Sequence, residues 1–214
     1  MKITLESIIN FKNGKKKPKS DGNIPIYGGN GVLGYSDKWN YEDVLVIGRV
    51  GAYCGSVNLA KGRCWISDNA IAAIPKNTSD LEYLYYLLKL LDINKKQIGS
   101  SQPLLTQGIL NSIKIDLFSD KIYRKKLGLF FSEIDEKIDI NNKINSELES
   151  MTKVIYDYWF VQFDYPDENG KPYKSSGGKM VYIDELDQEI PEGWGTNQIN
   201  YFSDITSSRR VFQS

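Results

Sequence analysis

The sequence predicts an α+β protein, in which a small mixed α/β domain with a bent β-sheet is followed by a long α-helix that forms a coiled coil. Three observations support this fold class. Short β-prone runs broken by glycine fill residues 23–75, a heptad repeat runs from residue 120 to about residue 157, and this second region contains no proline. The length of 214 residues, with 41% hydrophobic and 25% charged residues, fits an ordinary chain of one or two domains.

The β-prone runs follow a basic loop. Residues 5–20 end in five lysines placed around Gly14 and Pro18, which favour a turn over a continued helix. The next runs are short, β-branched and aromatic, and they recur about every ten residues, so they are expected to form one strongly bent sheet. These expected strands are residues 24–27, 32–35, 44–47, 53–57, 64–66 and 70–74.

A helix is expected after the sheet. Ser79 and Glu82 match a capping box, and apolar residues then recur at helical spacing. The apolar face consists of Leu81, Leu84, Tyr85, Leu88 and Leu91. A polar loop at 99–103, a short helix at 104–110 and a closing strand at 113–115 complete the domain.

The clearest periodicity lies in residues 119–160, which we assign to one long helix. At 1.5 Å per residue the stretch from residue 120 to about residue 157 is roughly 55 Å long, and such a helix cannot bury its apolar stripe alone. It needs a partner helix, and two asparagines within the stripe would fix the register of pairing. The predicted seam consists of Leu127, Phe131, Ile134, Ile138, Asn141, Asn145, Leu148, Ile155 and Trp159.

Composition restricts the chemistry. With no histidine, catalytic triads, most zinc hydrolases and imidazole acid-base steps are excluded. Cys54 and Cys64 are too few for a disulfide scaffold and are expected as reduced thiols. No apolar run approaches the ~18 residues of a membrane span, and Met1 leads into no signal-peptide core. We therefore expect a cytoplasmic protein without membrane association.

The zero net charge hides an uneven distribution. Residues 1–119 carry 15 basic and 10 acidic side chains, whereas residues 120–214 carry 12 and 17. The two parts therefore have net charges of +5 and −5. This division predicts that the first domain meets an anionic partner and that the rest has a different role.

Several loop residues are candidates for contacts with nucleic acid. Asn30, Arg49 and Gln102 carry side chains that can form paired hydrogen bonds with adenine or guanine. A structural ion pair for Arg49 and a solvated turn at 99–103 remain open alternatives. Candidate phosphate contacts are Lys15, Lys16, Lys17, Lys19, Lys95 and Lys96.

Catalytic and metal motifs are not supported. Residues 29–34 match the dinucleotide fingerprint, but a turn and a strand follow where that site requires a helix, so a hairpin with Asn30 at its tip is expected. Asp167, Glu168 and Lys171 resemble a nuclease motif but lack a strand that would hold the metal. No catalytic residue and no metal ligand is assigned.

Taken together, these motifs make the sequence resemble the specificity subunit of type I restriction-modification systems. The similarity covers nearly the whole chain, and the strings are specific when taken together. They lie at residues 25–31, 47–51, 67–70, 99–103, 155–163, 170–178 and 190–194.

This resemblance implies a target recognition domain at 1–118, a conserved spacer helix at 119–160 and a connector or docking segment at 161–195. In the family, two recognition domains and two antiparallel spacers face the halves of a bipartite site on double-stranded DNA. The subunit is not an enzyme. Methyltransferase subunits dock on it, restriction (motor-nuclease) subunits join for cleavage, and these partners use S-adenosylmethionine and ATP.

With one recognition domain and one spacer, the chain resembles a half-length or truncated subunit. Residues 196–214 would be the start of a second recognition domain or a disordered tail. We expect two copies to pair through the long helix into a homodimer that reads a palindromic bipartite site. The alternatives are a scaffold that binds methyltransferase without reading DNA, and a carboxylate-based hydrolase.

Overall fold

The computed structural model describes residues 2–96, 98 and 103–202. The chain divides into two compact units, Met1–Asp139 and Ile140–Ser214, and the boundary falls inside the long helix. Within the described ranges, no helix combines the length and the apolar character that crossing a membrane requires. Residues 203–214, which make up most of the predicted tail, lie outside the described residues.

The elements confirm the α+β class, with a bent sheet followed by a long helix. The strands are β1 (Lys2–Thr4), β2 (Ile9–Asn13), β3 (Ile24–Gly28), β4 (Gly31–Ser36), β5 (Tyr41–Gly48), β6 (Val57–Ile66), β7 (Ala70–Pro75), β8 (Lys114–Asp116), β9 (Met180–Ile183) and β10 (Gln188–Pro191). The α-helices are α1 (Leu81–Leu90), α2 (Gln107–Ser112), α3 (Lys121–Tyr156) and α4 (Ile199–Phe202). Short 3₁₀ helices occupy Leu5–Ser7, Gly51–Tyr53, Thr78–Asp80 and Ile93–Lys96, and a π-helical segment, Asp157–Val161, continues α3.

The main sheet has six strands in the order β2-β7-β5-β6-β3-β4. Its neighbours are antiparallel except β3 and β6, which pair in parallel at Ile26 and Trp65. The β5–β6 ladder shifts register beside Asp43, where Asp43 and Gly62 both have positive φ. The Gly62 amide donates to Asp43 Oδ1 at 2.8 Å, which holds the bulge. Bulges increase local twist, so this one accounts for the bend of the sheet.

Both faces of the central strand β5 are buried. Val44 and Val46 lie in one apolar cluster with residues of β6 and β7. Leu45 and Ile47 lie in the other cluster, which α1 and α2 cover. Successive side chains of a strand point to opposite faces, so a continuous apolar run is what two buried faces require.

The expected strand at 53–57 is wrong. Residues Gly51–Tyr53 form a 3₁₀ helix, and β6 begins only at Val57. Gly55 has a positive φ, and a Cβ there would lie 2.4 Å from the Asn94 amide nitrogen. The chain therefore turns at a glycine pressed against another backbone, a tertiary constraint that strand propensity does not report.

The predicted capping box at Ser79 is also wrong. Helix α1 begins at Leu81 and follows a 3₁₀ turn, and Asn77 Oδ1 accepts from the amide and the hydroxyl of Ser79. Asp80 occupies the N-cap position without a side-chain cap bond, because its carboxylate binds Arg124. The apolar face is as expected in its main positions, with Leu81, Leu84 and Leu88 buried, while Tyr85 and Leu91 are partly buried against the same cluster.

The Asp80–Arg124 pair joins the first turn of α3 to the start of α1. Arg124 Nε and Nη2 donate to the two Asp80 oxygens at 3.0 and 2.8 Å, and the side chains are only 5% and 6% exposed. Nη1 donates to the carbonyl of Phe118 at 2.5 Å. The hydrogen bonds to Asp80, together with its negative charge, raise the pKa of Arg124. The fork geometry satisfies a buried ion pair that would otherwise be costly.

Further contacts fasten the next turns of α3 to α1. Gly128 approaches so closely that a Cβ would lie 2.5 Å from the amide nitrogen of Tyr83. The Tyr86 hydroxyl donates to Asp135 Oδ2 at 2.8 Å, and its ring lies 5.3 Å from that of Phe131. Burial and the Asp135 carboxylate raise the pKa of Tyr86. Two residues of the predicted seam, Leu127 and Phe131, therefore pack within the first unit.

The second unit contains an aromatic stack beside the β9–β10 hairpin. Tyr165 lies between Tyr173 and Trp194, at 4.9 and 5.4 Å with nearly parallel rings. The buried carboxylate of Asp164 accepts from the amide of Ser175 at 2.7 Å and from its hydroxyl, and these bonds lower the pKa of Asp164. The glycine-containing polar segment is thus a compact, hydrogen-bonded loop.

Replacing Asp80 by alanine is expected to lower the free energy of unfolding by about 3 to 5 kcal/mol, because Arg124 would be left buried without a counter-charge. Urea unfolding followed by circular dichroism measures the change.

The matched control is Lys61→Ala. Lys61 Nζ lies 3.8 Å from Glu82 Oε1 in a pair that is partly exposed, so its loss should cost less than about 1 kcal/mol. Equal effects of the two substitutions would contradict a stabilising role for the buried pair.

Candidate nucleic-acid interface

Five polypeptide segments meet at one corner of the first unit. We call them the loop cluster. They are residues 14–19, which follow β2, the turn 28–30 between β3 and β4, residues 48–50 at the end of β5, the turn 67–69 between β6 and β7, and residues 103–105.

The turn 67–69 lies at the centre of this cluster. Ser67 donates its amide to the carbonyl of Tyr27 at 2.9 Å, which joins the turn to β3. The Asn69 carbonyl accepts from the Arg49 amide at 2.9 Å. Lys15 forms an isolated bridge with Ser67, and its amide donates to Ile66 at 3.0 Å. Three neighbouring segments are thereby fixed to one turn by backbone hydrogen bonds.

The remaining segments pack around Arg49. A Cβ on Gly29 would lie 3.3 Å from Gly48 Cα, and the Gly29 carbonyl accepts a hydrogen bond from the hydroxyl of Ser56. The Leu105 amide donates to the Arg49 carbonyl at 2.9 Å. Gly31 and Gly34 of the same hairpin have positive φ, which favours glycine, so the turn geometry accounts for the fingerprint-like sequence there.

Two of the three predicted base-reading residues come together here. Asn30 is exposed at the tip of the β3–β4 hairpin, and Arg49 is half-buried at the end of β5. The ion pairs found among the described residues do not involve Arg49, so the structural ion pair considered for it is not observed there. Gln102 lies outside the described residues. The Pro103 carbonyl next to it accepts from the Gly51 amide at 3.2 Å.

Four of the predicted phosphate contacts lie in the loop cluster. The side chains of Lys15, Lys16, Lys17 and Lys19 are exposed on residues 14–19, and Lys17 Nζ lies 3.3 Å from the place where a Cβ of Gly34 would be. The loop therefore extends from the central turn towards strand β4.

The other two lysines lie in the 3₁₀ helix Ile93–Lys96. Lys95 Nζ forms an exposed ion pair with Asp92 at 2.5 Å, and Lys96 is exposed near Ser112 and Lys114. The neighbouring Asn94 packs against Gly55, whose amide donates to the Gly48 carbonyl at 2.8 Å. These lysines are thus connected to the loop cluster through one intervening segment.

Asp68 and Asn69 belong to one of the strings that carry the family resemblance, but they were not among the predicted DNA contacts, although both are exposed at the centre of the loop cluster. The available signal was a polar Ser-Asp-Asn string between two apolar runs, which indicates a turn. Only the tertiary hydrogen bonds place that turn beside Arg49 and Lys15.

The two thiols are buried and free, as expected. Cys54 Sγ donates to the Arg49 carbonyl at 3.2 Å, and burial raises its pKa. Burial, with a contribution from Asp43, raises the pKa of Cys64 to about 11. The described residues contain no group of three acidic or cysteine side chains suited to a metal ion. The exposed chemistry of the cluster is therefore that of cations, amides and one carboxylate.

Comparison with known proteins gives one consistent similarity. The family described as the type I restriction modification DNA specificity domain matches residues 1–150. A specificity subunit of the type I restriction enzyme MjaIX from Methanocaldococcus jannaschii is 32% identical over 163 residues, which are 74% of this chain and 35% of that protein. The EcoprrI specificity subunit from Escherichia coli is 30% identical over 116 residues, 54% of this chain and 28% of that protein.

A solved structure shares the fold. The crystal structure of the type I restriction-modification S subunit from M. genitalium matches with a TM-score of 0.57 at 22% identity. The match covers 74% of this chain and 48% of that one. The chain thus spans about a third of the length of these curated relatives, and about half of that solved structure.

Proposed function

Because the chain belongs to the type I restriction-modification DNA specificity family, we propose that its first unit reads double-stranded DNA with the loop cluster. Helix α3 would bind the partner subunits. The loops would enter the grooves, and the bent sheet would hold them in place. The chain itself would catalyse no reaction. Methyltransferase subunits, and restriction subunits where they join, would use S-adenosylmethionine and ATP.

One observation carries this proposal. The fold brings Asn30 and Arg49, which are far apart in the sequence, to one corner together with four exposed lysines. Cations that contact phosphates supply affinity for any DNA sequence, and amide or guanidinium groups that reach base edges supply preference. A surface with both kinds of group in adjacent loops is suited to sequence-specific binding.

The surface of α3 supports a role in assembly. Beyond the turns that pack on α1, apolar seam residues remain solvent-exposed, among them Ile134 at 39%, Ile138 at 50% and Leu148 at 55%. Asn141, Asn145 and Ile155 are exposed as well, and Trp159 is half-buried. Exposed apolar stripes of this length mark protein contacts. We infer that a second copy of the chain pairs with this stripe to form a homodimer.

We infer an antiparallel arrangement of the two helices, as the family's two spacers have. The first turns of α3 are basic, with Lys121, Lys125 and Lys126, so a parallel pair would place these like charges side by side. An antiparallel pair of identical chains is two-fold symmetric, so its preferred DNA site would be a bipartite palindrome.

A second candidate function is a scaffold that binds methyltransferase subunits without reading DNA. The exposed apolar residues of α3 and the aromatic segment after it favour partner binding in either case. The two candidates differ in one observable, since only the DNA reader, assembled with methyltransferase, binds duplexes in a salt-dependent and sequence-dependent way.

Replacing Lys16 by alanine is expected to weaken binding to every duplex by a similar factor and to reduce the salt slope by about one unit, because one phosphate contact is lost. Replacing Gln102 by alanine is expected instead to relax the preference at one base position. Fluorescence anisotropy on the assembled chain and methyltransferase, with cognate and scrambled duplexes at several salt concentrations, separates the two effects. Unchanged affinity and preference after the Gln102 change would refute its assignment.

Replacing Leu148 by glutamate is expected to convert the isolated chain from dimer to monomer, because the substitution places a charge in the apolar seam. Light scattering coupled to gel filtration at micromolar concentration measures the mass. The control is Ser146→Glu, which adds the same charge on the opposite face of the helix and should leave the dimer intact. A parent chain that is already monomeric would contradict self-pairing.

A further inference from the structure

Asp68 is the single acidic side chain in the loop cluster. The five segments carry five cations, namely Lys15, Lys16, Lys17, Lys19 and Arg49, and this one carboxylate. Asp68 is exposed, and the ion pairs present among the described residues lie elsewhere. Its carboxylate is therefore available to contact a molecule that binds this surface.

The position of Asp68 is firmly held. The Ala70 amide donates to the Ser67 carbonyl at 3.0 Å and closes the turn, and Ser67 is only 2% exposed. Gly14 packs so closely beneath it that a Cβ would lie 1.9 Å from the Ser67 carbonyl oxygen. These contacts fix the backbone of the turn, so Asp68 is held in a preorganised position.

A carboxylate on such a surface is unfavourable for phosphate contact, since it repels the DNA backbone. It becomes favourable only where DNA offers a hydrogen-bond donor. The major-groove donors are the amino groups of cytosine and adenine, and cytosine N4 is the usual partner of Asp and Glu. Arg49 lies in the adjacent segment, where its amide donates to the carbonyl of the residue after Asp68. Arginine is the side chain best matched to guanine. The pair suits a G·C base pair or two adjacent ones.

Resting on the proposed function, we propose that Asp68 is a specificity-determining residue that accepts a hydrogen bond from a cytosine amino group. At all other sequences its charge weakens binding. The same side chain thus favours the correct base pair and disfavours the rest of the DNA, which is how specificity is gained without additional affinity.

The test is selection from a pool of randomised duplexes by the full chain assembled with its cognate methyltransferase subunits. Parent, Asp68→Ala, Asp68→Asn and the control Asp116→Ala are compared, and affinity for the unselected pool is measured at about 50 and about 200 mM salt. Asp116 is an exposed carboxylate on β8, which pairs with β1 and not with the loop cluster.

The parent should select a motif with cytosine at one position. Asp68→Ala should reduce the preference there by about fivefold or more and should raise low-salt affinity for the unselected pool by about threefold. Asp68→Asn, which suits the same turn, should shift that position from cytosine towards adenine, because a carboxamide pairs with adenine. Asp116→Ala should change neither quantity.

Two outcomes overturn the inference and separate its failure from that of the proposed function. A parent that selects a motif which both Asp68 variants retain refutes the role of Asp68 alone. A parent that selects no sequence refutes DNA reading itself, and the role of Asp68 with it. If Asp68→Ala does not fold, the Asp68→Asn variant tests the inference instead, because the inference requires its selected base to change from cytosine towards adenine.

Discussion

The buried bond between Arg124 and Asp80 is the constraint on which the rest of the first unit depends. A guanidinium that is taken out of water must be paired and hydrogen-bonded, and here the pairing draws the start of α3 onto the start of α1. On the following turns of the same helix, Gly128 approaches Tyr83, and Tyr86 contacts Asp135 and Phe131.

The loop cluster shows how a neutral protein can present a polyanion-binding surface. Its backbone is fixed by hydrogen bonds between loops, and its long side chains remain exposed. In the proposed function, the lysines would provide attraction that does not depend on sequence, and the shorter polar groups would provide discrimination. Glycines at positions 14, 29 and 48 allow the segments to come close enough to act together. Backbone atoms thus hold the loops together, and the side-chain atoms proposed for recognition are left free to contact a ligand.

Much of the fold was predictable because its local and tertiary signals agree. Strands β5 and β7 are apolar runs buried on both faces, and the helix expected at residues 119–160 is found as α3, Lys121–Tyr156, continued by the π-helical segment Asp157–Val161. Failures occurred where a tertiary partner decided the outcome. Asp80 is taken by Arg124, which leaves Asn77 to open the turn before α1. Strand β2 was not predicted, because it lies within residues 5–20, which were expected to form a basic loop.

The candidate site was predictable only in part, for a geometric reason. Residue type nominated Asn30, Arg49 and the lysines as candidates, because amide, guanidinium and ammonium groups can bind bases and phosphates. Their proximity depends on hydrogen bonds between segments up to about fifty residues apart, which no local pattern encodes. Asp68 shows the same limit, since an aspartate in a turn has an ordinary structural explanation. Only its five cationic neighbours make the carboxylate informative.

The most direct measurement is hydrogen exchange of the assembled complex with and without a selected duplex. The account predicts that amides of residues 14–19, 28–30, 48–50 and 67–69 exchange more slowly when DNA is bound, while those of β1 and β8 are unchanged. Protection confined to other parts of the first unit, or no protection by a duplex that binds, would contradict recognition by the loop cluster.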